Sequence, residues 1–392
     1  MMKTADAVII GGGIVGISIA YFLARRGFGR IVVLEQETIG AGSTGRSVAS
    51  IDLFSHHPTA VTLQARAYEI FSQFEEIFGA ECGLTTTGLA VLAGPEHAAA
   101  LTQATQLAQA AGITCQLLSP AEFAQLEPAA VVDDLAAVYY APNGGYADPM
   151  LTTNAIVAAA RQSGVIIEQS CRVTGLQRTG DRVAGVETRA GAVAAPVVVS
   201  AAGPWSKRLL TLFGLSDLGL YACDHPVISM LHPADFGPPR LSILDLPYQT
   251  YARPETGNLT LAGSMDRNVG YDAIEPEDCH GLVTAEYTFW TAERLVQRYP
   301  ALETAQLRQG WSGLMTISPD WQPVLGALPE VEGLYIATGF SGQGFKISPA
   351  VGDLMAGLIA GEAEAAQLLA PFRPSRFAEG QSLAVSEFGA LG

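Results

Sequence analysis

Short, wholly apolar runs bracket this chain, and alternating stretches fill its middle. Ala5-Asp6-Ala7-Val8-Ile9-Ile10 has the length of a buried strand and stops at Gly11. Residues 14–26 have helical character, stop at Gly27 and lead to a second buried run, Ile31-Val32-Val33-Leu34. Strand, helix and strand within about thirty residues make a βαβ unit with parallel strands. From Pro58 to Phe78, positions Leu63, Ala67, Ile70, Phe71, Phe74 and Ile77 recur at helical spacing, a core-facing stripe.

Farther along, 165–167 and 182–188 predict strands around a Thr179-Gly180-Asp181 turn. Val197-Val198-Val199 runs through Ser200 into a turn at Gly203. Pro-rich loops and alternating strands such as 248–253 occupy 217–310, ending in an amphipathic helix over 276–299. The chain then returns to a strand at 334–338, a glycine-rich turn and a helix over 349–359. An Ala-rich surface helix is expected at 98–111, and no internal repeat is present. The order predicts an α/β (α+β) fold. A Rossmann-like domain is assembled from residues 1–84, 146–216 and 311–377, with a mixed or antiparallel-sheet domain (85–145 and 217–310) inserted and a tail at 378–392.

The 392 residues suffice for two domains. With 38 acidic against 22 basic side chains, a net charge of −16 disfavours nucleic acid and anionic membrane surfaces as partners. The uncharged stretch 7–24 imitates a signal peptide. Three consecutive glycines inside it, Asp6 before it, and Arg25–Arg26 with no small-residue cleavage site after it argue for a folded βα unit and no membrane span. Five widely spaced cysteines without a CxxC pair predict no metal site and fit a reducing cytoplasm.

Gly11-Gly12-Gly13-Ile14-Val15-Gly16 matches GxGxxG between the first strand and helix. Gly11 permits the tight turn, Gly13 lets backbone approach a pyrophosphate, and Gly16 lets helix and strand pack closely. The helix N-terminus offers free N–H groups, and Glu35, at the end of the second strand, is placed to accept from a ribose diol. The following loop, Thr38 to Ser47, is rich in glycine and hydroxyls. It reads either as a wrap for a second phosphate and a ribityl chain or as a plain surface loop.

That loop's Gly42-Ser43-Thr44-Gly45-Arg46-Ser47, with Tyr140 to Pro149 (YAPNGGYADP), Ala201-Ala202-Gly203-Pro204-Trp205 and Thr338 to Lys346 (TGFSGQGFK), resembles the D-amino-acid oxidase, glycine oxidase and sarcosine oxidase family of FAD-dependent oxidoreductases nearly end to end. The resemblance makes the discontinuous domain the FAD-binding one and the inserted domain the substrate domain. It implies cofactor contacts from Gly11, Gly13, Ile14, Val15, Gly16, Glu35 and Gln36, and from Ser43, Thr44, Arg46 and Ser47. Val173, Ala202, Gly203 and Trp205 join them, as do Gly342, Gln343, Gly344, Phe345 and Lys346. It also implies oxidation of the C–N bond of an amino acid or secondary amine by hydride transfer to flavin N5, giving an imine that hydrolyses.

Gly313 stands where monomeric sarcosine oxidases carry the cysteine that tethers flavin, so FAD is expected to bind non-covalently. Lys346 matches the lysine that grips substrate carboxylate. Elsewhere the family's basic anchors are replaced: by Asp52 after the phosphate loop, by Met315 in Trp311-Ser312-Gly313-Leu314-Met315, and by Asp224-His225 in the substrate sheet. Either Lys346, Arg253 or Tyr251 holds the same kind of amino acid, or Asp52 receives a second cationic group on a basic amine. Tyr251 and Arg253 are two apart on a strand and share a face, with Tyr251 preferred. His56, His57 and His225 have no ligand spacing and read first as structural, His225 remaining a candidate through its position.

Thr260 replaces an oxygen-promoting lysine, which leaves oxygen, a quinone or a redox partner subunit as electron acceptor. The alternatives are the flavin subunit of a hetero-oligomeric proline-, sarcosine- or opine-type dehydrogenase, and a non-enzymatic FAD-bearing assembly or binding factor with a degraded site. Both homo- and hetero-oligomers are compatible with the sequence.

Overall fold

The computed structural model describes residues 3–233, 236, 241–385 and 388. The first apolar run forms a fully buried strand, Ala7–Ile10, followed by a helix, Ile14–Arg25, and the strand Ile31–Leu34. Strands Ile166–Glu168, Ile31–Leu34, Ala7–Ile10, Val197–Ser200 and Leu334–Thr338 lie side by side and parallel, and Val324–Ala327 closes that edge antiparallel. Continuous apolar runs suit this sheet because helices cover it. The helices Ile14–Arg25 and Gly344–Ile359 lie against one another, with Ile17, Ile19, Val351 and Met355 in one apolar cluster.

A second, eight-stranded sheet has the order Gln306–Ile317, Tyr221–Leu231, Leu259–Ser264, Thr250–Glu255, Ser242–Asp245, Leu89–Ala93, Ala137–Ala141 and Gln116–Leu118. It is antiparallel except where Ser242–Asp245 runs parallel to Leu89–Ala93. The amphipathic helix Ala285–Arg298 packs Tyr287 and Leu295 beneath it. Its N-terminus is nine residues later than the pattern predicts, because Thr284 caps it by accepting from the Tyr287 N–H at 3.2 Å. The Ala-rich helix, Ala98–Ala110, is not a purely surface element, since Leu101, Ala104 and Ala108 are buried.

Two expectations need correction. The boundary expected at residue 311 falls inside the continuous strand Gln306–Ile317, so Trp311 to Met315 belong to the eight-stranded sheet. The last long helix begins at Gly344 rather than Pro349. Pro349 lacks the N–H that would reach the Phe345 carbonyl, and the Ser348 hydroxyl donates to that oxygen instead, at 2.9 Å.

Candidate active site

Between the two sheets lies a cleft of about 470 Å³. The amino ends of both long buried helices open on it, since Gly13, Ile14 and Val15 of the first and Gly344, Phe345 and Lys346 of the second line its wall. Neither helix has a side-chain cap on its own N-cap residue or an acidic residue in its first turn. Both therefore present N–H groups and a positive dipole end to whatever enters.

The glycines are dictated by close approach. Gly11 has φ +115°, and a Cβ there would lie 2.3 Å from the Ala201 carbonyl oxygen; one on Gly16 would lie 2.1 Å from the Gly11 oxygen. Beside this turn, Glu35 accepts from the N–H groups of Gly12 at 2.7 Å and Glu37 at 2.8 Å, which fixes its carboxylate at the cleft wall.

Ser43, Thr44, Arg46 and Ser47 all line the cleft. Thr44 Oγ1 accepts from the Ile14 N–H at 3.1 Å, so the loop supplies a cap for the helix start. Arg46 donates to the carbonyls of Ala41 and Gly42, and the Trp311 indole donates to the Arg46 carbonyl at 2.8 Å, pinning the loop to the eight-stranded sheet. Gln36, Val173, Ala202, Gly203, Trp205 and Gly342 also line the cleft. Gly16 and Gln343 do not: Gly16 is packed against Gly11, and Gln343 is buried beneath the turn. Sequence reasoning missed Arg172, Arg189 and Arg208, which line the cleft beside Cys171 and Val173. They stand on separate elements with no motif to signal them, and Arg208 pairs with Glu277 at 2.5 Å.

Among the candidate catalytic residues, Tyr251, His225, Asp52 and Lys346 all line this cleft, as two bonded pairs. His225 Nδ1 lies 3.0 Å from the Gly270 carbonyl, which only accepts, so the ring proton sits on Nδ1. Nε2 then accepts from the Tyr251 hydroxyl at 3.2 Å. Burial pushes the His225 pKa down to about 4 and the Tyr251 pKa well above its ordinary value, so both are uncharged near neutrality. With its proton committed to His225, the Tyr251 oxygen offers lone pairs. Tyr271 packs its ring 4.6 Å from that of His225, fixing the dyad from behind. His225 is thus both buried and in the cleft.

Asp52 and Lys346 form an ion pair, with only 6% and 5% of their surface exposed. Burial raises the Asp52 pKa and Lys346 opposes that rise. Asp52 therefore already has an internal cation, and any cationic group of a substrate would share it with Lys346. The expectation for Arg253 needs correction. It shares a face with Tyr251, but its guanidinium donates to the carbonyls of Val48 at 2.8 Å and Pro254 at 2.9 Å, pairs with Glu255 and stacks on Tyr146, away from the cleft lining. Thr260 lies opposite Pro254 in the sheet register, on the face away from Tyr251, and bonds His232 at 2.6 Å. It therefore says nothing about oxygen. Among the described residues no cluster of side chains has metal-ligand geometry, and no helix is long and apolar enough to cross a membrane.

Residues 6–358 match the model of the FAD dependent oxidoreductase family. The chain belongs to that family. It is 28% identical to glycine oxidase of Geobacillus kaustophilus over 96% of its own length and 98% of that protein's. It is 29% identical to mouse mitochondrial sarcosine dehydrogenase over 90% of its length but spans only 39% of that larger protein. Among solved structures, L-proline dehydrogenase from P. horikoshii superposes with a TM-score of 0.89 at 25% identity, covering 98% of this chain and all of that one. The chain spans about two fifths of the length of the sarcosine dehydrogenases it matches, and the family it shares with them is that of the FAD dependent oxidoreductases.

The cleft fits FAD on its own evidence. The Trp205 indole N–H is buried at the wall with no protein partner. A Cβ on Gly203 would meet nothing, so the backbone there is open to a ligand.

Proposed function

We propose that this protein oxidises the C–N bond of a small amino acid or secondary amine, with FAD held non-covalently. The observation that carries the reading is one cleft joining two helix N-termini that lack a cap from their own N-cap side chains, the Glu35 carboxylate and a neutral Tyr251–His225 dyad. Glu35 would take the adenosine ribose; the first helix start with Ser43, Thr44 and Ser47 would take the pyrophosphate; and the N–H groups from Gly342 to Lys346 would face the flavin. FAD supplies the hydride acceptor. Tyr251 accepts a hydrogen bond from the substrate amine and orients it. Lys346 faces the substrate carboxylate. The apolar walls at Leu244 and Val227 exclude water from the reacting carbon.

Non-covalent binding is supported at Gly313, where a Cβ would stand 3.1 Å from that of Arg46, so a tethering side chain would force the phosphate loop to move. The domain assignment follows the two sheets, with the nucleotide on the parallel one and substrate under the antiparallel one. A dehydrogenase passing electrons to a quinone or partner subunit is kept beside an oxidase, supported by the superposition on L-proline dehydrogenase. A cytoplasmic location is proposed from the five free cysteines.

Turnover of sarcosine, proline, glycine and N-methyl amino acids, followed in parallel by oxygen uptake and by reduction of an artificial dye, tests the reading. Release of the matching aldehyde or keto acid supports it, and the faster acceptor decides between oxidase and dehydrogenase. A protein that holds FAD but forms no carbonyl product from any amine would be a binding factor.

A further inference from the structure

Resting on the function just proposed, we propose that Asp52 is the specificity-determining residue of the cleft: it neutralises Lys346, so the reacting end accepts a ligand of no net charge and rejects one with surplus negative charge. Charge is unevenly distributed along the cleft wall. Of the charged side chains at the cleft wall, Arg172, Arg189 and Arg208 stand beside Cys171, Val173 and Leu209, against the nucleotide-binding sheet. Arg46 is turned onto the carbonyls of its own loop, Glu35 is bonded by two backbone N–H groups, and Glu37 follows it just beyond the strand Ile31–Leu34. Of the described charged side chains lining the cleft, that leaves Asp52 and Lys346; Arg253, beside Tyr251, is held off the lining by the Val48 carbonyl and Glu255. Leu53, adjacent to Asp52, shares an apolar cluster with Tyr251 and Leu244, and Asp52 and Lys346 line the same cleft as those two residues. His225 is neutral there, bonded through both ring nitrogens.

A buried, paired cation is a different receptor from a lone one. An unpaired Lys346 would pull in any carboxylate and repay its desolvation. Paired with Asp52 through direct contact, it can accept a carboxylate only if a positive group lies against Asp52 at the same time. A zwitterion does this head to tail, its carboxylate at Lys346 and its ammonium between Asp52 and the lone pairs of Tyr251. A simple anion leaves Asp52 facing a like charge, and a dicarboxylate does so twice over. Discrimination then comes from the repulsive element rather than from a tighter grip on the favoured ligand.

The test is equilibrium binding to the FAD-loaded protein of ligands that it does not oxidise, read from perturbation of the oxidised flavin spectrum. Trimethylglycine serves as zwitterion, acetate as monoanion and malonate as dianion. In the unaltered protein trimethylglycine should bind at least about tenfold more tightly than acetate, with malonate weaker still. Asp52→Asn should reverse the order, raising acetate affinity about tenfold or more, and Lys346→Met should abolish anion binding without restoring it for malonate. Acetate or malonate binding as tightly as trimethylglycine to the unaltered protein would overturn the proposal. So would an unchanged acetate affinity in Asp52→Asn. The order in the unaltered protein decides even if both variants fail to fold. Because the readout needs no turnover, it is separate from the failure of the proposed function, which would appear as flavin that no amine reduces.

Discussion

Tyr251 spends its only proton on His225, and that choice decides what the phenol does for a substrate: it accepts. Tyr251→Phe keeps the ring and removes the acceptor, leaving His225 Nε2 buried and unpaired, at a cost on the order of 1–3 kcal/mol. We expect kcat/KM for the best amine to fall roughly ten- to a hundredfold with FAD content unchanged; an unaltered kcat/KM would remove Tyr251 from the site. His225 also writes a pH signature. Its pKa, lowered from 6.5 to about 4 by burial, means that the unfolded chain binds more protons between those values. Stability from this group is therefore full above the unfolded value and lost as pH falls toward 4. His56, lowered to about 4 as well, adds to the same window. Thermal denaturation should show Tm falling between about pH 6.5 and about pH 4, less steeply in His225→Asn. Equal slopes in the two proteins would contradict the burial argument.

At the scale of elements, the strand–turn–helix at 7–25 depends on glycine positions that allow no side chain. Gly11→Ala would set a methyl 2.3 Å from the Ala201 oxygen at a φ that alanine avoids, and should yield protein without FAD or no soluble protein. Retention of flavin by that variant would show that the turn can relax. The segment after the last helix is tied down by Arg376, whose guanidinium holds Asp320 at 2.8 Å through both Nε and an Nη, both side chains being almost fully buried. Arg376→Leu strands that carboxylate, and a loss of about 3–5 kcal/mol in denaturant unfolding is expected.

The glycine motif and the strand–helix–strand around it were legible because they depend on contacts between near neighbours in sequence. The start of the last helix was hidden by Pro349, whose missing N–H is compensated by Ser348 in a way that no propensity reveals. The Asp52–Lys346 pair joins residues 294 apart, so the sequence shows two candidates but not that each is the other's partner. Arg253 departs from its expected place for the converse reason: strand periodicity gives the face correctly, while the Val48 carbonyl that captures the guanidinium lies 205 residues away.

Across the whole molecule, a parallel sheet offering helix N-termini and an antiparallel sheet offering a neutral dyad face each other over one cleft. Strand Gln306–Ile317 links the halves, because Trp311 on it holds the phosphate loop. The glycine oxidase and proline dehydrogenase structures cover nearly the whole chain, so this arrangement is the unit that the family shares. Sarcosine dehydrogenase is more than twice as long, and what its remaining length adds lies outside the likeness. Amine oxidation by this flavoprotein can be read directly from anaerobic titration of the FAD-loaded protein with sarcosine, proline and other small amino acids, following flavin absorbance. Stoichiometric bleaching by at least one zwitterionic amine is expected, and none by dicarboxylates. Flavin that stays oxidised with every amine, in protein that binds FAD fully, would contradict it.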